Sequence, residues 1–322
     1  MIKKAVIYFL VIFIIVDVIV GRFILHLGFD YNTKEYTIQR LNVPYIEFTG
    51  NPNYKEHNTL GYKGKGIESI TDSTYTILFF AGSTGYYGDT TLPQFIEIEL
   101  NKNKHSKPYN ILNCSVVSAN HNQHLHALVE QFLTKKIDLV IFYGGYNELI
   151  NPLYYDPRAG YPFNYYYKND CNPFILSLLK YSSILGEIER RHYAISGLRK
   201  LRKQYESNTK QWYDAISKNY LDVMQKSSII VTHCMTNCVQ KPTQFICIHQ
   251  PFQVPEQFKS TEINIRNQLK NYGYTYDISD IFKNQSSYFI DDVHLNNAGN
   301  KIVAQRISKI IESVSKNAVV SK

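Results

Sequence analysis

Short apolar runs alternate with amphipathic stretches through most of the chain. The runs are rich in phenylalanine, isoleucine and valine and stop at glycine or polar residues, as buried parallel strands do. The sequence predicts strands at residues 76–81, 109–116, 139–143, 244–249 and 275–278. It predicts helices at about residues 92–100, 123–133, 209–239 and 261–272, and a last helix that follows Asn296–Asn297 and runs to about Ser315. This alternation indicates βαβ units and an α/β fold.

The most apolar stretch lies at the N-terminus. Residues Ala5–Val20 are apolar except for Asp17, and the stretch continues through Phe23–Leu25, close to the ~20 residues that span a bilayer. Lys3 and Lys4 precede it, which predicts a cytoplasmic N-terminus with the rest of the chain across the membrane. No small-x-small cleavage site follows, so an uncleaved anchor is favoured over a signal peptide. A buried N-terminal helix is the third interpretation, and Asp17 is costly in a bilayer unless it meets a helix partner.

The composition is that of a globular protein. Of the 322 residues, 44% are hydrophobic and 19% are charged, which excludes disorder as the main state. The 35 basic and 27 acidic residues give a net charge of +8, but the basic residues are scattered. No nucleic-acid motif accompanies the densest run, from Arg190 to Lys203. The charge therefore suits an anionic glycan, a membrane surface or simple solubility, and no nucleic-acid partner is expected.

Cysteines and histidines give no metal site. The five cysteines, too few and too unevenly spaced for a disulfide framework, are Cys114, Cys171, Cys234, Cys238 and Cys247. Cys234 and Cys238 lie four residues apart beside His233, a spacing that suits a bridge or a metal, but no second pair completes a zinc site. We predict thiols on a helix surface or in the core.

Three histidines, His121, His124 and His126, follow the second predicted strand. Their spacing does not put all three on one face of a helix. We therefore predict a solvated helix or the rim of a site at these positions, in preference to a metal cluster.

Three short segments bring chemistry-bearing residues to strand ends or loops. Ser83 follows the strand at 76–81, Asn147 follows the strand at 139–143, and Asp291 and His294 share a loop near the C-terminus. A serine hydroxyl becomes a nucleophile when a histidine accepts its proton, and a carboxylate orients that histidine. Ser83, His294 and Asp291 have the side chains for these roles. Asp292 is a competing carboxylate, but its adjacent position points it less naturally toward the histidine.

In this order the segments resemble the SGNH hydrolases, the GDSL-like lipase and esterase family. The family's G-[DS]-S, G-x-N and D-x-x-H blocks are matched by Gly82–Ser83, Gly145–Asn147 and Asp291–His294. Its remaining block, an asparagine with glycine five residues later, is matched in part, because Asn113 is followed by Ser118 where glycine is usual. Together the four blocks identify the family far more specifically than any one of them.

The resemblance, which spans roughly residues 75–310, implies a fold and a domain plan. The fold is a flavodoxin-like three-layer α/β/α sandwich around a central parallel sheet, preceded by one transmembrane helix. The plan has an anchor at 1–28, a lead-in at 29–74 packed on the core, and an SGNH hydrolase-like domain at 75–318. Asn58–Gly64 resembles the N-x-x-G-[FY]-R-G stretch of membrane-anchored members.

Residues 150–208 interrupt the alternation with a tyrosine-dense loop followed by a basic, helical segment. An insertion at this place would rise beside the end of the third strand. The tyrosines either pack a long loop or form a lid that stacks on a sugar or binds an acyl chain.

The resemblance also implies roles for the site residues. Ser83 is the expected nucleophile, His294 the base and Asp291 its orienting acid. The backbone N–H groups of Ser83 and Ser118 and the side-chain amide of Asn147 are the expected oxyanion donors, each typically worth about 3 kcal/mol. Such chemistry requires no organic cofactor and no metal.

The implied activity is that of an anchored, extracytoplasmic serine esterase or O-acyltransferase. Its expected partners are the membrane and an acylated carbohydrate or other ester, with acetyl groups on a cell-surface glycan as the leading substrate. Ser118, and Glu148 where the family often has aspartate, leave open a non-catalytic glycan-binding or assembly protein on the same fold. A lipase or thioesterase at the membrane surface would need an apolar acyl channel. The sequence does not decide whether the acyl group is transferred to water or to another hydroxyl, and it does not give the oligomeric state.

Overall fold

A computed structural model describes residues 2–24, 39–43, 47–150, 182–185, 209–283 and 285–320. The strands are β1 (Arg40–Val43), β2 (Glu47–Gly50), β3 (Tyr75–Ala81), β4 (Tyr109–Asn113), β5 (Leu139–Gly144), β6 (Gln244–His249) and β7 (Thr275–Asp277). Strands β1 and β2 pair antiparallel, and the other five form a parallel sheet in the order β4-β3-β5-β6-β7. Numbered from β3, this is the flavodoxin-like order 2-1-3-4-5.

One helix precedes the strands, and the others lie between or after them. They are α1 (Ile2–Val16), α2 (Ser83–Tyr86), α3 (Leu92–Leu100), α4 (His121–Ala127), α5 (Tyr146–Ile150), α6 (Thr209–Ile229), α7 (Lys259–Leu269) and α8 (Asn297–Val320). Wider turns with π-type hydrogen bonding extend α1 over Asp17–Ile24, α4 over Leu128–Phe132 and α6 over Ile230–Met235, after which a short helix covers Thr236–Val239.

The sheet is covered on both faces, which makes the domain a three-layer α/β/α sandwich. Residues alternate along β3, so that Leu78 and Phe80 face one core while Ile77 and Phe79 face the other. The first core includes residues of α4, α6 and α7, and the second includes residues of α3 and α8. Burial on both faces explains why the strands read as continuous apolar runs.

The predicted elements are present with shifted ends. Strand β4 ends at Asn113, three residues early, where the Asn113 side chain accepts a hydrogen bond from the Ser115 N–H and donates one to the Gly85 carbonyl. Helix α4 begins two residues early, because Asn120 caps it by accepting from backbone N–H groups of its first turn. Asn296 caps α8 as predicted, accepting from the Gly299 N–H, and α8 continues past Ser315.

The lead-in contacts the core through the β1–β2 pair and the turn at Asn58–Gly64. The Asn58 side chain accepts from the N–H groups of Leu60 and Tyr62, and the buried Tyr62 hydroxyl donates to Gln131. Of the tyrosine-rich insertion, only residues 182–185 are described, so the six tyrosines from Tyr154 to Tyr167 lie outside the described residues.

The N-terminal helix is long and apolar enough to cross a membrane over Lys3–Gly21, with a mean hydropathy of 2.5. Most of its large apolar side chains are exposed, so it is not the buried helix of the third interpretation. Asp17 is the exception at 5% exposure. Its carboxylate accepts from the Ser182 hydroxyl (2.9 Å) and from the N–H groups of Ser183 (3.1 Å) and Ile184 (2.7 Å). Asp17 therefore caps the helical turn at 183–185, which gives the carboxylate its partner.

We expect Asp17→Ala to release this turn from the N-terminal helix. The loss of a side-chain cap typically costs about 1 kcal/mol, so the Ser183 and Ile184 amides should exchange hydrogen roughly five times faster. Hydrogen exchange of the full chain in lipid nanodiscs measures this. Asp89→Ala, in an exposed loop, is the matched control. Unchanged exchange in Asp17→Ala would show that the contact does not hold the turn.

Candidate active site

Several polar residues meet at the carboxyl edge of the parallel sheet. Ala81 of β3 lies opposite Tyr143 of β5, and Gly144 lies opposite His249 of β6, so the residues that follow these strands emerge side by side. They are joined by the loop before α8, which carries Asp291 and His294. Ligands of open α/β sheets bind at this edge.

The structure brings Ser83, His294 and Asp291 into one hydrogen-bonded chain. Ser83 Oγ lies 2.8 Å from His294 Nε2, and His294 Nδ1 lies 2.7 Å from Asp291 Oδ2. Asp291 Oδ1 accepts from the N–H groups of Val293 (2.9 Å) and His294 (2.8 Å), which fixes the carboxylate beside the ring. The Asp292 side chain is not part of this chain, while its backbone carbonyl accepts from the Gln253 N–H.

The electrostatics keep Asp291 ionised. Burial alone would raise the pKa of Asp291, but hydrogen bonds from the backbone N–H groups of His294 and Val293 and from the His294 ring outweigh it, so the pKa lies below its ordinary value. An ionised Asp291 holds the proton of the ring on Nδ1 and leaves the Nε2 lone pair for the Ser83 hydroxyl. The arrangement is therefore ready to accept a proton from the serine.

The Asn147 side chain lies against Gly82, the residue before Ser83, where there is no room for a larger residue. A Cβ atom on Gly82 would lie 2.4 Å from Asn147 Nδ2, so any side chain there would displace the amide. Asn147 Nδ2 donates one hydrogen to the Ala119 carbonyl at 2.8 Å, which fixes the plane of the amide and leaves its second hydrogen for another acceptor.

Ser118 adopts the backbone conformation that glycine usually takes. Its φ is +66°, in the left-handed region, where a side chain costs roughly 1–2 kcal/mol. The next residue, Ala119, bonds back to Val116 through its N–H, which closes a tight turn after β4. The chain therefore makes a left-handed turn at Ser118, although serine adopts this conformation less readily than glycine.

Glu148 supports the loop that carries Asn147. Its side chain is buried and accepts from the N–H groups of Gly145 (2.8 Å) and His121 (2.8 Å), so it joins the end of β5 to the start of α4. Gly145 has a φ of +132°, which the bond to Glu148 stabilises. Sequence reasoning treated Glu148 only as a departure from the family's aspartate; its place one residue after Asn147, at the start of a helix, was the available signal.

His121 and His124 are buried, at 0% and 2% exposure, so the predicted solvated helix is wrong for both, while His124 lines a small cavity beside Ser83, as predicted for the rim of a site. Three residues apart on α4, they face the sheet and pack against Phe142. Burial and the neighbouring His249 lower the pKa of His121 to about 3, and burial and His121 lower that of His124 to about 3 against the opposing effects of Glu148 and the hydrogen bond to Ala81. Both rings are therefore neutral at pH 7.

No group of three or more possible metal ligands occurs within the part of the chain that the structure describes. Cys234 and Cys238 are exposed free thiols, and Cys114 and Cys247 are buried free thiols. Cys171 lies outside the described residues. The pair at Cys234 and Cys238 thus forms neither a disulfide nor part of a metal cluster in the structure.

Two spaces adjoin Ser83. An open cleft of about 300 Å³ lies beside Ser83 and His294 and is lined by Tyr87, Ile290 and Asn297 among others. A far smaller cavity, of about 10 Å³, is lined by Gly82, Ser83, Thr84, Ala119, His124, Tyr143, Gly144, Asn147, Glu148, Gln250 and Val293. Ser83 therefore has a roomy side, which contains His294, and a tight side, which contains Asn147.

No protein-family model and no curated protein sequence matches this chain. Among solved structures, the chain is similar to an acetyl xylan esterase (14% identity, TM-score 0.44), with 73% of this chain and 99% of that one covered. It is also similar to an aryl esterase of M. smegmatis (10%, TM-score 0.41; 74% and 99% covered) and to a carbohydrate acetylesterase from Sinorhizobium meliloti (12%, TM-score 0.39; 75% and 100% covered). These identities and scores are too low for a shared substrate or reaction to follow.

The buried histidines predict acid sensitivity. Their pKa values are depressed in the fold, so between pH 6.5 and about 3 the unfolded chain binds more protons than the folded one, and stability falls as pH falls. Each ring contributes a slope of up to about 1.4 kcal/mol per pH unit. We expect His124→Gln to remove one such contribution from the unfolding free energy measured in urea from pH 7 to pH 4.5. His126→Gln, at a half-buried position of the same helix, should keep the wild-type slope; equal slopes in all three proteins would refute the assignment.

Proposed function

We propose that this protein is a serine ester hydrolase or acyltransferase with Ser83 as nucleophile, His294 as general base and Asp291 as the acid that orients it. The observation that carries the proposal is the unbroken chain of hydrogen bonds from Ser83 Oγ through both nitrogens of His294 to Asp291. Each residue alone is ordinary, but a serine, a histidine and an ionised carboxylate in this geometry form an activated nucleophile.

The proposed reaction has two halves. Ser83 Oγ bonds to the ester carbon while its proton passes to His294 Nε2, and the carbonyl electron pair moves to oxygen. Donors on the Asn147 side of the serine stabilise that oxyanion: the Asn147 side-chain amide and the backbone N–H groups of Ser83 and Ser118. The carbon–oxygen bond to the alcohol then breaks, and the alcohol takes the proton from His294. Water or a second hydroxyl gives its proton to His294 and attacks the acyl-serine; the bond to Ser83 Oγ then breaks, and Ser83 takes that proton from His294.

A short acyl group fits the tight side of the serine. The cavity there, of about 10 Å³, has room for about one water molecule, so once the carbonyl oxygen occupies it little space is left on this side for an acyl chain. Buried Ala119 and Val293 form part of its wall. We therefore propose acetyl as the acyl group; a long acyl chain would not fit this small cavity as the described residues form it, which disfavours a lipase or thioesterase.

A carbohydrate fits the open side. Tyr87 is 41% exposed, and its ring lies 5.7 Å from that of His294 between centroids. Asn297, exposed at the start of α8, brings a side-chain amide to the same cleft. An aromatic face and a free amide suit the apolar and hydroxyl faces of a sugar. Together with an N-terminal helix of membrane-spanning length, they support an anchored, extracytoplasmic enzyme that acts on O-acetyl groups of a surface glycan.

The nucleophile is tested with a fluorophosphonate, which forms a stable adduct only with an activated serine. We expect wild-type protein to give one adduct, on Ser83, and Ser83→Ala to give none. Asp291→Asn should slow labelling roughly 10³-fold or more, because the histidine loses its orienting carboxylate. Asp292→Asn is the matched control, one residue away and outside the hydrogen-bonded chain, and should label within about twofold of wild type.

Intact mass and peptide mapping read out the adduct. A folded wild-type protein that forms no adduct would overturn the enzymatic proposal and favour a binding protein on this fold. Equal effects of Asp291→Asn and Asp292→Asn would overturn the role of Asp291.

The acyl preference is tested with p-nitrophenyl esters of increasing chain length. We expect kcat/KM to fall from acetate to butyrate. For octanoate it should be at least roughly 100-fold lower than for acetate, because the tight side cannot hold the added methylenes. Val293→Ala, which widens this cavity, should raise the butyrate-to-acetate ratio. Val303→Ala, buried in α8 away from the cavity, should leave the ratio unchanged. Full activity on octanoate in the wild type would contradict the assignment of the acyl side.

A further inference from the structure

Gln250 is the first residue after β6 and belongs to the same edge as Ser83. Its backbone N–H donates to the Gly144 carbonyl at 2.9 Å, which ties it to the end of β5. Only 3% of the residue is exposed. Its position is therefore fixed by the sheet and is not that of a mobile surface side chain.

The orientation of its side chain is fixed as well. The Thr84 hydroxyl donates to Gln250 Oε1 at 2.9 Å. Thr84 thus occupies the oxygen of the amide. The other atom, Nε2, donates to no acceptor among the described residues. The residue is nearly buried, but Nε2 is not one of the fully enclosed side-chain atoms that lack a partner, so this donor faces accessible space from which a ligand can reach it.

The small cavity on the tight side of Ser83 is the space that Gln250 borders. Gln250 lines that cavity together with Gly82, Ser83 and Asn147, and it is not among the residues that line the open cleft. His294 must protonate the departing alcohol, so the alcohol leaves through the open cleft that His294 lines. The carbonyl oxygen of the ester then lies on the opposite side, with Asn147 and Gln250.

We propose that Gln250 is a further catalytic residue whose Nε2–H donates a hydrogen bond to the carbonyl oxygen of the ester as it becomes an oxyanion. The inference rests on the proposed function. The Gln250 amide keeps its proton throughout, so no group is transferred to or from it. Thr84, next to Ser83 in α2, fixes the orientation of the Gln250 amide through its hydrogen bond to Oε1.

The experiment compares Gln250→Met with Gln253→Met. Methionine is close to glutamine in shape but offers no donor, and Gln253 lies on the same loop with its side chain exposed and away from the small cavity. Both full-length proteins are assayed for kcat and KM with p-nitrophenyl acetate and for the rate of labelling by the fluorophosphonate, whose P=O oxygen occupies the same position as the ester oxygen. Thermal melting checks the fold.

We expect Gln250→Met to lose roughly 100-fold in kcat and in labelling rate with KM within about threefold, because an oxyanion donor acts in the transition state. Gln253→Met should match wild type. Gln250→Glu keeps the acceptor for Thr84 but removes the donor, so it should be impaired as well, and it decides the matter if Gln250→Met does not fold.

The outcomes separate this inference from the proposed function. If wild type reacts at Ser83 and a folded Gln250→Met reacts equally fast, the role of Gln250 is refuted while the esterase proposal stands. If the loss in Gln250→Met appears in KM with kcat unchanged, Gln250 binds the ground state only and the oxyanion role is refuted. If wild type itself does not react, both fall together.

Discussion

The buried Glu148 carboxylate is the interaction on which the geometry of the site depends. It accepts from the N–H groups of Gly145 and His121 and so joins the loop after β5 to the start of α4. That loop holds Asn147 against Gly82, one residue before Ser83, with no space for a side chain between them. A buried carboxylate is stable only when its oxygens are hydrogen-bonded, so the loop and the helix hold the carboxylate as firmly as it holds them. The position of Asn147 relative to Ser83 is thus set by the core of the domain.

Sequence reasoning located what depends on local pattern. The strands follow from apolar runs buried on both faces, and the contact of Asp291 with His294 follows from a three-residue offset within one loop. It did not locate what depends on packing between distant segments. His121 and His124 are polar in sequence, yet α4 turns them into the core, where burial keeps them neutral. No sequence pattern pointed to Gln250, because its hydrogen bond with Thr84 forms only when β6 and β3 lie in one sheet.

Asp17 shows the same principle outside the core. An acidic residue within an apolar helix is unfavourable in a bilayer unless its charge is satisfied. Here three donors from residues 182–184 converge on the carboxylate, and Gly21, one turn along, lets Ser183 approach, since a Cβ there would lie 3.1 Å from the Ser183 Cβ. The N-terminal helix, which is long and apolar enough to cross a membrane, therefore also holds a segment of the insertion through specific hydrogen bonds.

The two spaces around Ser83 also constrain the second half of the proposed reaction. The acyl group, once on Ser83, stays on the tight side with Asn147. The molecule that attacks next must give its proton to His294 Nε2, so it has to enter through the open cleft that the alcohol has just left. Water and a sugar hydroxyl therefore compete for one place. If the proposed reaction is correct, hydrolysis and transfer would differ in how long that cleft holds the second alcohol, so the choice would rest with Tyr87, Asn297 and their neighbours and not with the Ser83–His294–Asp291 chain.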